Sequence, residues 1–182
     1  MVSEHNVSTI VMLSELGEGK CPRYWDDGTA QYEHISVQYE ESESCPYYTR
    51  RQFRVTNNKS GDVCVVRQLQ YQGWPTAPGH VPEVTRGLAE LADAARQQPS
   101  PAMHAEPAML LHCQYGTERS ALFAALCILI AQLRNERRVD VAATARKVRS
   151  QRAGTINTFL QYEFLHRAIL NYAELHNLLE DS

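Results

Sequence analysis

A cysteine and an arginine stand six positions apart in the run Leu111-His112-Cys113-Gln114-Tyr115-Gly116-Thr117-Glu118-Arg119-Ser120, with apolar residues on either side. Cysteine attacks as its thiolate, and the planar fork of arginine matches two oxygens of a phosphate. Residues 108–111 read as a short buried strand and residues 120–134 as a core-facing helix, so Cys113 is expected to leave the strand just where the helix begins. The main-chain N–H groups of the intervening loop then point at one spot, reinforced by the positive end of the helix dipole. Cys113, Gln114, Tyr115, Gly116, Thr117, Glu118 and Arg119 are therefore the candidates for holding a phosphate, with Cys113 beneath it as nucleophile. The groups that attract the anion should also depress the pKa of the thiol. The plainer assignment makes Cys113 one more buried structural cysteine.

The elements that must position this loop follow from apolar spacing. Residues 7–13 are predicted as a buried strand, and residues 32–39, 47–56 and 63–71 as strands with β-branched and aromatic content. Residues 57–62, Asn-Asn-Lys-Ser-Gly-Asp, are expected to form the turn between the last two. Residues 82–97 carry helical spacing at Val84, Leu88, Leu91 and Ala95, with Pro82 near the start. A loop is expected over residues 98–107, and further helices over 139–149 and 158–178. Strands come first and helices last, which gives an α/β fold with a central mixed sheet flanked by helices.

The 182 residues are 43% hydrophobic and 21% charged, enough to bury one core, and one domain is expected over residues 1–182. A net charge of −3 argues against a nucleic-acid binder held by a basic surface, while a local positive pocket stays compatible with it. Five cysteines without closely spaced pairs suit a reducing compartment, so a cytoplasmic location is expected, with Cys21, Cys45, Cys64 and Cys127 structural. The amino end has no signal-peptide pattern, and the apolar stretch at 121–131 is well short of the ~20 residues that span a bilayer. No membrane contact is expected from this segment; if the parent is a membrane receptor, its anchor lies elsewhere.

The loop resembles the signature of the protein tyrosine phosphatases, and three further segments match in the same order. Residues 6–16 with Cys21-Pro22-Arg23-Tyr24-Trp25 are similar to that family's buried strand and Cys-x-x-Tyr-Trp segment. Gln70-Tyr71-Gln72-Gly73-Trp74-Pro75 resembles the approach to its mobile Trp-Pro-Asp loop, and Gln151-Arg152-Ala153-Gly154 with Thr158, Gln161 and Tyr162 resembles its glutamine-bearing segment. The likeness is greatest to the second, membrane-distal domain of the receptor-type enzymes. It implies the cysteine-dependent phosphatase fold and a metal-free, cofactor-free hydrolysis of phosphotyrosine through a cysteinyl-phosphate. By the same resemblance Cys113 and Arg119 are catalytic, Ser120 assists the sulfur, Gln161 helps hold the hydrolytic water and Arg152 supports the cradle. A phosphotyrosine-containing protein is the implied partner, with a second phosphatase domain of the same receptor as another.

Four departures weaken the implied activity. Thr76 follows Trp74-Pro75 where the family has its general acid, and threonine has no acidic proton to give. General acid–base help is worth about 10²- to 10⁴-fold, or roughly 3 to 5 kcal/mol of barrier. His80 and Glu83 are the nearby titratable groups that could stand in for the acid. Inside the cradle, Gln114, Tyr115, Glu118 and Ala121 replace small residues, and Glu118 brings a negative charge beside an anion site. Asn157 is one methylene shorter than the residue it matches, which impairs water positioning. The family's Asn-Arg-Tyr recognition segment is missing, so the chain is expected to begin partway through the domain and to leave part of the sheet uncovered. A weakly active phosphatase and a non-catalytic phosphotyrosine-binding or regulatory module both remain open. A zinc protein using His104, His112 and Cys113 is the distant third, because their spacing builds no tetrahedral set.

Overall fold

A computed structural model describes residues 2–17, 20–97 and 108–179. Six strands form one sheet: β1 (Val7–Met12), β2 (Thr29–Tyr32), β3 (Ile35–Ser44), β4 (Tyr48–Asn57), β5 (Val63–Tyr71) and β6 (Ala108–His112). Among the described residues there are four helices: α1 (Arg86–Arg96), α2 (Glu118–Glu136), α3 (Val141–Gln151) and α4 (Phe159–Leu175). The strand order is β2-β3-β4-β5-β1-β6, confirming the mixed α/β architecture.

The β2 to β5 run is an antiparallel meander, whereas β1 lies parallel to both β5 and β6. The carboxyl ends of β5, β1 and β6 therefore lie side by side, and the chain segments leaving them form one crevice, the usual place for a ligand in an α/β sheet. Those segments carry Trp74 and Thr76, Ser14 and Glu15, and Cys113.

Apolar alternation explains which face the helices cover. Val11 and Leu13 of the β1 segment with Leu69 and Tyr71 of β5 pack against Leu88 and Leu91 of α1, Phe123 and Leu126 of α2, and Phe164 and Tyr172 of α4. The opposite face carries a smaller cluster of Met12, Trp25 and Phe53 beside an apolar cleft of about 320 Å3, lined also by Ile10, Val37 and Val66.

The structure moves several predicted boundaries. β2 was not foreseen; it is short and largely exposed, and its pairing with β3 across residues 29–38 defines it. The strand predicted over 32–39 instead runs Ile35–Ser44. α1 begins at Arg86 rather than near Pro82, because the Thr85 carbonyl accepts the first helical bonds, from Leu88 and Ala89. α2 begins at Glu118, so Glu118 and Arg119 belong to its first turn rather than to the loop. The expected loop at 98–107 lies outside the described residues.

Candidate active site

The cradle joins β6 to α2. Cys113 follows the last residue of β6, Gly116 takes a left-handed φ of +65°, and α2 starts two residues later. Glycine is needed at 116 because the backbone conformation disfavours a side chain; a Cβ there would make ordinary contact with Arg152 Nη2, at 3.4 Å. The Arg152 guanidinium thus packs against the loop from outside, in keeping with a supporting role. No side chain among the described residues caps α2 at Thr117, which leaves its first N–H groups open to an anion.

Burial of the half-buried Cys113 sulfur works against its ionisation, but donors outweigh it. The Ser120 hydroxyl and the main-chain N–H groups of Ser120, Tyr115 and Gly116 hold the thiol below its ordinary pKa. Ser120 Oγ is buried and makes no hydrogen bond of good geometry, yet it lies close enough to the sulfur to favour the thiolate. These are the features that separate a reactive cysteine from a structural one. Cys127, by contrast, packs partly buried against the main core, and burial pushes its thiol up to about 12.

Beneath the loop, His112 Nε2 is 2.9 Å from Tyr24 Oη, which accepts a hydrogen bond from Gln68 Nε2 at 2.7 Å; Gln68 in turn accepts from Arg51 Nη1 at 2.9 Å. Burial holds His112 below its ordinary pKa, opposed by the Cys113 main chain, and pushes Tyr24 up to about 12. This polar chain fixes the residue next to the nucleophile from β4 and β5, and nothing in the local spacing around Cys113 announces it.

Arg119 is part-buried, with Nη1 donating to Leu13 O at 3.2 Å and Nη2 to Pro75 O at 3.1 Å. Two of its five N–H donors are so engaged, leaving three for a ligand. Its guanidinium also sits 5.9 Å from the Trp74 ring centroid. Beside it opens a cleft of about 200 Å3 lined by Ser14, Glu15, Lys20, Trp74, Thr76, Gln114 and Arg119. Glu15 pairs with Lys20 at 2.6 Å; that hydrogen bond holds its carboxyl below the usual range against partial burial, helped by Gly73 and Arg119. The Glu15–Lys20 pair at the mouth escaped the sequence reading.

Thr76 lies in this cleft with Gln114 and Arg119. His80 is exposed, and its carbonyl accepts from Trp74 Nε1 at 3.1 Å. Glu83 is not at the cradle: it lines a different cleft with Val84, Thr85, Arg86 and Asn171. Glu118 turns to the Trp74 loop, where Oε2 accepts from Gly79 N at 3.0 Å. Gln161 is buried in the first turn of α4 and its Oε1 accepts from Asn157 N at 3.0 Å, while Thr158 Oγ1 accepts from Gln161 N at 3.2 Å. These bonds cap the start of α4 and engage the amide oxygen of Gln161. His104 lies outside the described residues, and no three metal-ligating side chains converge among those described.

The fold and this crevice are those of a cysteine-dependent phosphatase, and comparison with known proteins agrees. The family model described as protein-tyrosine phosphatase matches residues 1–171, so the chain belongs to the protein tyrosine phosphatase family. It is similar to tyrosine-protein phosphatase 69D of Drosophila melanogaster, 54% identical over 100% of the chain and 13% of that protein. It is also similar to receptor-type tyrosine-protein phosphatase alpha of Homo sapiens, 31% identical over 96% of the chain and 22% of that protein. Receptor-type tyrosine-protein phosphatase F of Mus musculus is 31% identical over 94% of the chain and 9% of that protein. The chain therefore spans less than a quarter of the length of these relatives.

Proposed function

We propose that residues 1–182 are one partial tyrosine-phosphatase domain that hydrolyses phosphotyrosine weakly. The observation that carries this reading is the convergence of Ser120 and three main-chain N–H groups on a Cys113 sulfur held below its ordinary pKa. The Cys113 thiolate attacks phosphorus, the S–P bond forms as the P–O bond breaks, and the phenolate departs without a proton because Thr76 has none to supply. Arg119 and the amides at the start of α2 stabilise the equatorial oxygens. Water, oriented through Gln161, then hydrolyses the cysteinyl-phosphate and restores the thiolate, with Ser120 easing its departure. No metal or cofactor takes part. The substrate is a phosphotyrosine-containing protein, the setting is the cytoplasmic part of a receptor-type parent, and a second phosphatase domain of that parent is a further partner.

A leaving-group series tests this reading. An enzyme without its acid should cleave aryl phosphates of acidic phenols at least 10²-fold faster than phosphotyrosine, with all activity lost in Cys113→Ser. Thr76→Asp should narrow that ratio. Equal turnover by the parent and Cys113→Ser would remove the enzymatic reading. The second reading, a phosphotyrosine-binding or regulatory module, is favoured by Thr76 at the acid's place and by the negative charge of Glu118 beside Arg119. It expects binding with no cleavage of either class of ester.

A further inference from the structure

The first turn of α2 sends two neighbouring side chains onto the same loop. Arg119 Nη2 takes the carbonyl of Pro75 at 3.1 Å, and Glu118 Oε2 takes the N–H of Gly79 at 3.0 Å. The contacts are opposite in polarity and bracket Thr76, so cation and anion hold the two limbs of one loop. The loop is also closed on itself: His80 N donates to Ala77 O at 3.2 Å and Trp74 Nε1 to His80 O at 3.1 Å. Gly79 has a left-handed φ of +74°, and a Cβ there would meet only Thr158 Cγ2, at 3.8 Å. Backbone conformation rather than crowding therefore calls for glycine at the point where the N–H is presented.

A carboxylate in this position has a second effect. Glu118 is in the first turn of the helix whose amino end is the anion site, next in sequence to the arginine of that site. Its negative charge answers the same helix field that an incoming anion would use, and opposes that anion directly.

We propose that Glu118 is a positioning residue that latches the 74–81 loop against the cradle through Gly79 N–H, while its charge weakens the hold of the cradle on an anion. The second half rests on the phosphatase reading given above; the latch does not. The two effects separate in two conservative variants of the full chain. Glu118→Gln keeps an acceptor oxygen at the same reach and loses the charge. Glu118→Asp keeps the charge and falls one methylene short of Gly79.

Hydrogen exchange at the Gly79 amide reads the latch, and calorimetric binding of inorganic tungstate reads the charge. Glu118→Gln should leave Gly79 protected and tighten tungstate about tenfold. Glu118→Asp should accelerate Gly79 exchange about tenfold and leave tungstate affinity near that of the parent. Unchanged exchange in Glu118→Asp would overturn the latch, and unchanged affinity in Glu118→Gln would overturn the electrostatic half. If the parent and both variants all fail to bind tungstate, the cradle reading itself falls, while exchange at Gly79 still decides the latch.

Discussion

Cys113 and Ser120 make a testable pair at the scale of single residues. Because donors hold the thiol below its ordinary pKa, alkylation should reach its half-maximal rate at a lower pH than for a free thiol. Ser120→Ala removes the side-chain donor, so a profile of alkylation rate against pH should shift upward; an unshifted profile would leave the main-chain amides as sole cause. The linkage has a definite sign. A folded-state pKa below the unfolded one contributes stability that is fully present above the unfolded thiol value and is lost as pH falls through the folded one. Cys113, Arg119 and Ser120 were legible in the sequence because the cradle is contiguous and each demand falls on a fixed position within it. Glu118 was legible as a charge but not as a contact, because Gly79 lies 39 residues earlier and only the folded sheet brings the two together. The same holds for Tyr24 and His112, which are 88 residues apart.

Elements show the same division between local signal and tertiary context. β5 was read to its ends because its β-branched and aromatic residues stop at Gln72-Gly73, whereas β2 has no periodic signal and exists through its partner. α1 supplies a prediction that propensity alone would get backwards. Alanine for glycine inside a helix ordinarily gains about 1 kcal/mol. At Gly87, however, a Cβ would stand 2.9 Å from Tyr47 Cδ1 and 3.2 Å from its Cβ, so the Tyr47 side chain must shift. Gly87→Ala is expected to lose about 1 to 3 kcal/mol in chemical denaturation, and a gain would refute this account of the α1 packing. The helices are also tied to one another by Asp93, whose carboxylate accepts from Tyr172 Oη at 2.7 Å and pairs with Arg134 at 3.1 Å and His176 at 3.1 Å. Three helical segments thus meet at one acid.

At the scale of the molecule, β1 is the keystone. Val11 is fully buried, with Leu69 of β5 on one side and Leu111 of β6 on the other. Val11→Ala should cost about 1.5 to 3 kcal/mol, read as a lower denaturation midpoint at constant slope. The cradle leaves β6 and the Trp74 loop leaves β5, the two strands that flank β1, so the loss should be accompanied by faster exchange at the ends of β5 and β6 alike. The position of β1 also sets a schedule for assembly. A strand at residues 7–12 pairs on both flanks with strands at residues 63–71 and 108–112, so its second edge stays open until nearly a hundred further residues have been made. Distant parallel pairing of this kind closes late and slowly. During synthesis Cys113 follows directly on the strand that covers the second edge of β1, so the loop it opens is made only as that edge is paired.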